Sequence, residues 1–232
     1  MSSYIEVIAI VEGKTEQLFI NSVLTPYLAK KMIFMTATQI SKPGQKGGNV
    51  EFRRLKDDLE IHLKQRKNTF VTTFIDYYGI KEWPGVGQVS NQSTPSQIAD
   101  TINQANTLAV NELFSDLNSK FRFIPYIAVH EFESLLFSDS QILSSALGIS
   151  EDKVLAVLKE CGEPEAINNS PQTAPSKRLQ QWTTNGKFPK TTMGIMIAQT
   201  IGIHRIREKC PLFNDWLNRI EAILPLNLDH NR

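Results

Sequence analysis

The sequence predicts an α/β protein with a mainly parallel sheet over residues 1–150 and a helical part over residues 151–232. Three observations predict it. Short apolar runs rich in β-branched residues alternate with patterns of helical spacing through the first half. Most of these runs end at an acidic residue. Beyond about Ser150 the runs cease and only helices and loops follow.

The first run is Glu6–Val11, with the composition of a buried parallel strand. It stops at Glu12, and Gly13 marks a turn. Apolar residues then recur at Leu18, Phe19, Val23 and Leu24, a helical spacing, until Pro26 kinks or ends the helix. Phe34–Ile40 reads as a second strand, followed by a loop at 42–49 rich in Gly and Lys. Leu55, Leu59 and Leu63, at four-residue steps, predict an amphipathic helix over about Glu51–Lys67. Thr69–Ile75 is the third strand and leads into Asp76. Residues 77–97 have the composition of a long loop, and Ile98–Leu117 reads as a helix. Ile124–Val129 is the fourth strand, running into His130-Glu131-Phe132-Glu133. Helices are expected at Glu151–Cys161, with Ser150 as N-cap, and at Thr191–Ile201 and Leu212–Leu224.

Strand ends one, three and four each present an acid: Glu12, Asp76, and Glu131 with Glu133. Parallel strands would bring all three ends to one edge, where open α/β sheets bind ligands. Glu16 lies one helical turn beyond Glu12 and can share its side. Carboxylates gathered from separate strands repel each other, and a divalent cation relieves that repulsion. Glu12, Glu16, Asp76, Glu131 and Glu133 are therefore candidate ligands for Mg2+ or Mn2+, with Glu12, Asp76 and Glu131 as candidate catalytic groups. Only one of Glu131 and Glu133 is expected to point fully into the site, because a helix should begin there. Each signal has a plainer reading. Glu12 and Glu16 also fit a solvated helix start, Asp76 fits a turn former, and His130 fits a hydrogen-bonded core histidine.

The net charge of +1 hides a split. From Ile98 to Glu165 there are eleven acidic residues against four basic; from Lys177 to Lys209 there are seven basic against one acidic. That split suits a chain that holds a cation in one place and meets a phosphate backbone in another. Lys14, beside the acids, and Lys177-Arg178, after Ala174-Pro175-Ser176, are candidate phosphate contacts. A helix start with solvated bases is the alternative for the second pair. Cys161 and Cys210 lie far apart without metal-ligand spacing, no run approaches a membrane span, and the first residues carry no signal-peptide pattern. The expectation is a reduced, cytoplasmic protein.

An ordered set of motifs runs along nearly the whole chain. It comprises Glu12-Gly13-x-Thr15-Glu16, Asp76-x-Tyr78-Gly79, Pro125-Tyr126-x-x-x-His130-Glu131-Phe132-Glu133-x-Leu135-Leu136-Phe137, Pro164-Glu165-x-Ile167-Asn168, Ala174-Pro175-Ser176-Lys177-Arg178 and Cys210-Pro211-x-Phe213-x-x-Trp216. The set resembles the bacterial "domain of unknown function 4276" family, which is regarded as Toprim-like, and the first motif resembles that of Toprim domains in topoisomerases, primases and OLD-type nucleases. The resemblance implies a Rossmann-like Toprim core and metal-dependent phosphodiester chemistry on nucleic acid, DNA before RNA. It also implies an ATPase partner and a place in phage defence. Glu12 would be the motif-one glutamate, and Asp76 the first acid of Asp-x-Asp. This chain departs from that pattern at Tyr78, where the second acid would stand. A non-catalytic, nucleic-acid-binding or regulatory subunit of an ATPase is the alternative that this departure favours.

Overall fold

The computed structural model of the protein describes residues 4–40, 50–167 and 172–224. Its strands are β1 (Ile5–Val11), β2 (Ile33–Gln39), β3 (Val50–Glu51), β4 (Thr69–Asp76), β5 (Ile80–Lys81), β6 (Phe123–Ile124) and β7 (Ile127–Ala128). The main sheet runs β2-β1-β4-β6, β7 pairs with β4 beyond β6, and every pairing is parallel. β3 and β5 form a separate short parallel pair. The order gives the sheet a switch point. The chain leaves β1 for β2 on one side, then returns to lay β4 on the other. The crevice beyond the ends of β1 and β4 is thus the place where such sheets bind ligands.

Alternation along the strands assigns the two faces. Val7, Ala9 and Val11 of β1 and Phe70 and Phe74 of β4 enter one core cluster; Ile10, Val71 and Ile75 enter the other. The second face is covered by α3 (Phe52–Gln65), through Leu55, Leu59 and Leu63, and by α4 (Pro95–Leu113), through Ile102 and Val110. The first face is covered by helices from both ends of the chain. α1 (Lys14–Phe19) continues through a π-helical turn, Ile20–Leu24, into α2 (Thr25–Ala29). Against them pack α6 (Ser140–Leu147), α7 (Glu151–Cys161), α8 (Pro175–Trp182), α9 (Ile195–Ile201), α10 (Ile203–Lys209) and α11 (Pro211–Glu221); a short helix α5 (Ser119–Arg122) precedes β6. This is a Rossmann-like core with helices on both faces and a helical C-terminal part. Among the described residues no helix is long and apolar enough to cross a membrane.

Several elements differ from the sequence reading, each for a local reason. The α-helix from Lys14 gives way to the π-helical turn Ile20–Leu24 just before Pro26, which then stands in the first turn of α2, where its missing N–H costs little. Residues 77–97 are not one loop. They hold the 3-10 turns Tyr77–Gly79 and Val86–Gln88, strand β5, and the start of α4, capped by Thr94 and Gln97 in a capping box. The fourth strand is broken into β6 and β7 at Pro125, which has no N–H to donate. Side chains of β4 bridge the gap. Thr73 Oγ donates to the Tyr126 carbonyl at 3.1 Å and accepts the Tyr126 N–H at 2.9 Å, while Thr72 Oγ donates to the Ile124 carbonyl. The Glu131–Phe137 region forms a buried 3-10 segment, Phe132–Ser138, in place of an α-helix. Helices α6, α8 and α10 were not separately expected, and the loop at 42–49 lies outside the described residues.

The C-terminal helices reach the middle of the sheet. Trp216 Nε1 donates to Thr72 Oγ at 2.8 Å, and the Trp216 ring stacks on Tyr126 at 4.7 Å between centroids. Thr72 therefore relays a hydrogen bond from α11 into the broken strand. Thr72→Val keeps the shape but leaves the indole N–H and the Ile124 carbonyl without this partner. The expected loss is about 1–3 kcal/mol in urea unfolding. A midpoint equal to the parent's would show that the relay carries no stability.

Glu165, in the 3-10 turn Pro164–Ala166, caps α11. Its carboxylate accepts the N–H of Leu212 at 2.7 Å and of Phe213 at 2.9 Å. Burial pushes its pKa up to about 7, against the pull of those two N–H donors. A carboxyl whose folded pKa lies above its unfolded one favours the fold while protonated. That contribution is lost as pH rises through the folded value, here by at most about 3 kcal/mol. Glu165→Gln should flatten the fall in stability between about pH 5 and about pH 8. Parallel pH profiles for parent and variant would remove Glu165 as its source.

Candidate functional site

Three strand ends converge at the switch point. Val11 pairs with Phe74, so Glu12, one residue on, and Asp76, two residues on, leave the same edge of the sheet. Asp76 pairs with Ala128 of β7, which brings Glu131 and Glu133 within a few residues of the same edge. Asp76 feels the charges of Glu16, Glu12, Glu133 and Glu131, in that order. The five acids singled out by the sequence thus form one electrostatic cluster.

Local structure places each of them. Gly13 stands at the N-cap of α1, and Glu16 is the third helical residue, turned back on the helix start. A Cβ at Gly13 would come 3.1 Å from Glu16 Oε2, so the glycine leaves room for that carboxylate. Burial raises the Glu16 pKa; the N–H groups of Glu16 and Gly13 oppose the rise and Glu12 adds to it. Gly79, just past Asp76, does the same for Glu12. A Cβ there would lie 2.5 Å from Glu12 Oε2. The turn Tyr77–Gly79 therefore lies close over the Glu12 carboxylate, and a side chain at position 79 would displace it.

Asp76 is the most constrained. Burial pushes its pKa well above the usual carboxylate range, and its four acidic neighbours push in the same direction. Its Oδ1 is buried without a hydrogen-bond partner among the described residues. Glu131 and Glu133 diverge, as a tight turn requires. Glu131 accepts the Ser176 N–H at 2.9 Å and the Ser176 hydroxyl at 2.8 Å, capping the start of α8. Glu133 is buried, which raises its pKa, and is met by Lys190 Nζ at 2.6 Å. His130 has its pKa lowered by burial to about 4, with Glu131 pulling the other way. Its Nδ1 is buried without a hydrogen-bond partner among the described residues.

Lys190 is the residue that sequence reasoning missed. It opens the π-helical turn Lys190–Gly194 before α9. Burial works against its charge, but Glu133, Glu131 and Asp76 raise its pKa. It also lowers the pKa values of Glu16 and Glu133. Lys14, in the first turn of α1, is exposed and donates to Gln17 at 3.2 Å. Lys177 is exposed on α8. Arg178 turns inward, donating to the Thr173 carbonyl at 2.8 Å and pairing with Glu160 at 3.8 Å. It braces the start of α8, so the motif is a helix start, but of its two bases only Lys177 is solvated.

The donor set suits a hard divalent cation: carboxylate oxygens alone, with one buried oxygen on Asp76 that has no hydrogen bond. Glu12, Glu16 and Asp76 could hold it, joined by Glu133 once Lys190 withdraws. As they stand, no group of three His, Cys, Asp or Glu side chains among the described residues forms a ready cage. Lys190 and Ser176 already engage two of the acids.

The family described as a domain of unknown function (DUF4276) matches residues 11–221 of this chain, from the end of β1 through α11. The chain belongs to that family. No curated protein and no solved structure matches it.

A divalent cation bound here would compete with Lys190 for the charge of Glu133. Removing the lysine leaves Glu133 buried beside four other acids, so Lys190→Met should lose about 1–3 kcal/mol in EDTA, less than a fully enclosed pair would. Millimolar magnesium or manganese should then raise the melting temperature of the variant more than that of the parent, by mass action. Equal metal shifts in both proteins, or none in either, would count against this competition.

Proposed function

We propose that this chain is a Toprim-like, divalent-cation-dependent nuclease, acting on DNA before RNA and working with an ATPase partner in phage defence. The observation that carries this reading is the gathering of Glu12, Glu16, Asp76, Glu131 and Glu133 at the sheet's switch point, around an Asp76 oxygen with no hydrogen bond. A buried cluster of this kind is costly in a purely structural role, because each acid raises the cost of ionising the next.

In this reading Glu12, Glu16 and Asp76 hold magnesium or manganese. When bound, the ion would polarise a phosphodiester and lower the pKa of an attacking water. The protein supplies the rest. Gly79 and Gly13 keep the carboxylates of Glu12 and Glu16 at the edge. Glu131 ties α8 to the site through Ser176. Lys190 is within reach of both the acids and an incoming phosphate, and Lys14 and Lys177 offer exposed charge on neighbouring helix starts.

A second reading is a nucleic-acid-binding or regulatory subunit of the ATPase that does not cut. Tyr78 favours it by standing where a second acid would complete a two-metal site, and so does Glu131, whose oxygens are both engaged by Ser176. One assay separates the two. Plasmid, linear duplex, single-stranded DNA and RNA are incubated with the pure protein in EDTA, magnesium or manganese. Cleavage in metal alone, lowered by roughly a hundredfold or more in Asp76→Asn and Glu12→Gln, is the expected result. A metal-dependent rise in melting temperature with no cleavage of any substrate, with or without the ATPase, would sink the nuclease reading and leave the regulatory one.

A further inference from the structure

The turn that follows Asp76 carries a feature the acids do not use. Asp76 ends β4, and Tyr77–Gly79 forms a 3-10 turn directly over the carboxylate of Glu12. Within that turn the two tyrosines part. Tyr77 packs against the core cluster beneath α3 and α4, whereas Tyr78 is 59% exposed. The Tyr77 ring meets that of Tyr78 edge-on, at 5.8 Å between centroids and 82°. On another side lies the His130 ring, at 6.5 Å and inclined by only 33°. His130 immediately precedes Glu131 and so belongs to the same sheet edge. A largely exposed tyrosine is therefore carried on the turn after Asp76, with the Tyr77 and His130 rings as neighbours.

Exposed tyrosines are ordinary. This one is unusual in its anchorage. Asp76 is paired in the sheet, Tyr77 packs into the core, and the 3-10 turn Tyr77–Gly79 runs close to the Glu12 carboxylate. Tyr78, inside that turn, is thus carried on the same sheet edge as the acids. A flat face at that place matches a flat ligand whose phosphate reaches the acids. In a duplex each base face is covered by its neighbours, and only backbone and groove edges are on offer. A base at a single-stranded segment or a frayed end is free to stack.

We propose that Tyr78, with His130 at its flank, is a stacking platform for an unpaired nucleobase, and that the acid site takes single-stranded nucleic acid or the frayed end of a duplex. This rests on the nucleic-acid reading of the acid cluster and deepens it by naming the substrate class. A tyrosine at this position gives up the second acid of the Toprim pattern and gains a contact with the base next to the phosphate.

The test is binding in EDTA, so that cleavage plays no part. Fluorescence anisotropy is measured with a single-stranded oligonucleotide, the same strand carrying one abasic position, and a blunt duplex. The parent should bind the single strand more tightly than the duplex. Tyr78→Ala should weaken single-strand binding about tenfold, as expected for one lost stacking contact, while leaving the melting temperature unchanged. Tyr78→Phe, which keeps the ring, should bind within about twofold of the parent. An Ala variant that binds like the parent overturns the platform, and so does a Phe variant as weak as the Ala variant. The nuclease reading is scored separately, by cleavage in magnesium or manganese. A parent that stacks single strands through Tyr78 but cuts nothing keeps the platform and loses the nuclease. A parent that cuts duplex and single strand alike, with no effect of Tyr78→Ala, keeps the nuclease and loses the platform. A parent that binds no nucleic acid overturns both.

Discussion

Electrostatic repulsion at the crevice between β1 and β4 is the constraint around which this molecule is arranged. The parallel register leaves Glu12 and Asp76 at one edge, and the turns after β7 and at the start of α1 add Glu131, Glu133 and Glu16. Water normally screens such charges, but Glu16 and Glu133 are buried and Glu12, Asp76 and Glu131 are only partly exposed. Three of the five acids are each accommodated by a different device. The first N–H groups of α1 hold Glu16, the start of α8 holds Glu131, and the Lys190 ammonium meets Glu133. Asp76 has none of these. Burial and its neighbours drive it toward the protonated form, and one of its oxygens has no hydrogen bond.

The helical C-terminal part follows from the same constraint. Its residues are far from the acids in sequence, yet Ser176 and Lys190 provide two of the devices that make the cluster tolerable. The same part fills the first face of the sheet. Trp216 reaches Thr72 in β4, and Phe213 and Trp216 pack around Phe74 and Tyr126. Glu165 in turn fixes the start of α11 from a separate turn. Core and site are therefore built from the same long-range contacts. Loosening α8 or the turn at Lys190 would uncover acids as well as apolar surface, so local opening there costs more than fraying of an ordinary surface helix.

What the sequence made legible was whatever depends on short periodicity. β1, β2, β4 and α7 lie within a residue or so of their expected bounds, since alternation, buried β-branched runs and a Ser150 cap are local signals. The acids were legible because they fall directly after apolar runs, and parallel pairing then brings them together. Pro125 was the missed warning in the fourth strand, as a proline inside such a run argues for a break. Lys190 was not legible, because a lysine after Phe188-Pro189 carries no pattern that distinguishes it from a solvated one. Only the fold reveals the buried glutamate it meets. Arg178 fails in the opposite sense: a basic motif drew attention to it, and the fold spends its guanidinium on a carbonyl and a surface glutamate.

The four residues Asp76-Tyr77-Tyr78-Gly79 compress the logic of the site into one turn. Asp76 delivers a carboxylate, Tyr77 anchors the turn in the core, and Gly79 lets it close over Glu12. Tyr78 is then the only member turned outward. A second acid there would have added negative charge beside a cluster already poorly supplied with counter-charge. An aromatic ring adds none. It therefore leaves Asp76 no harder to ionise than its four acidic neighbours already make it. On the proposed reading, the position that an Asp-x-Asp pattern would give to a second acid carries an uncharged ring instead, beside a carboxyl whose pKa burial and charge already raise.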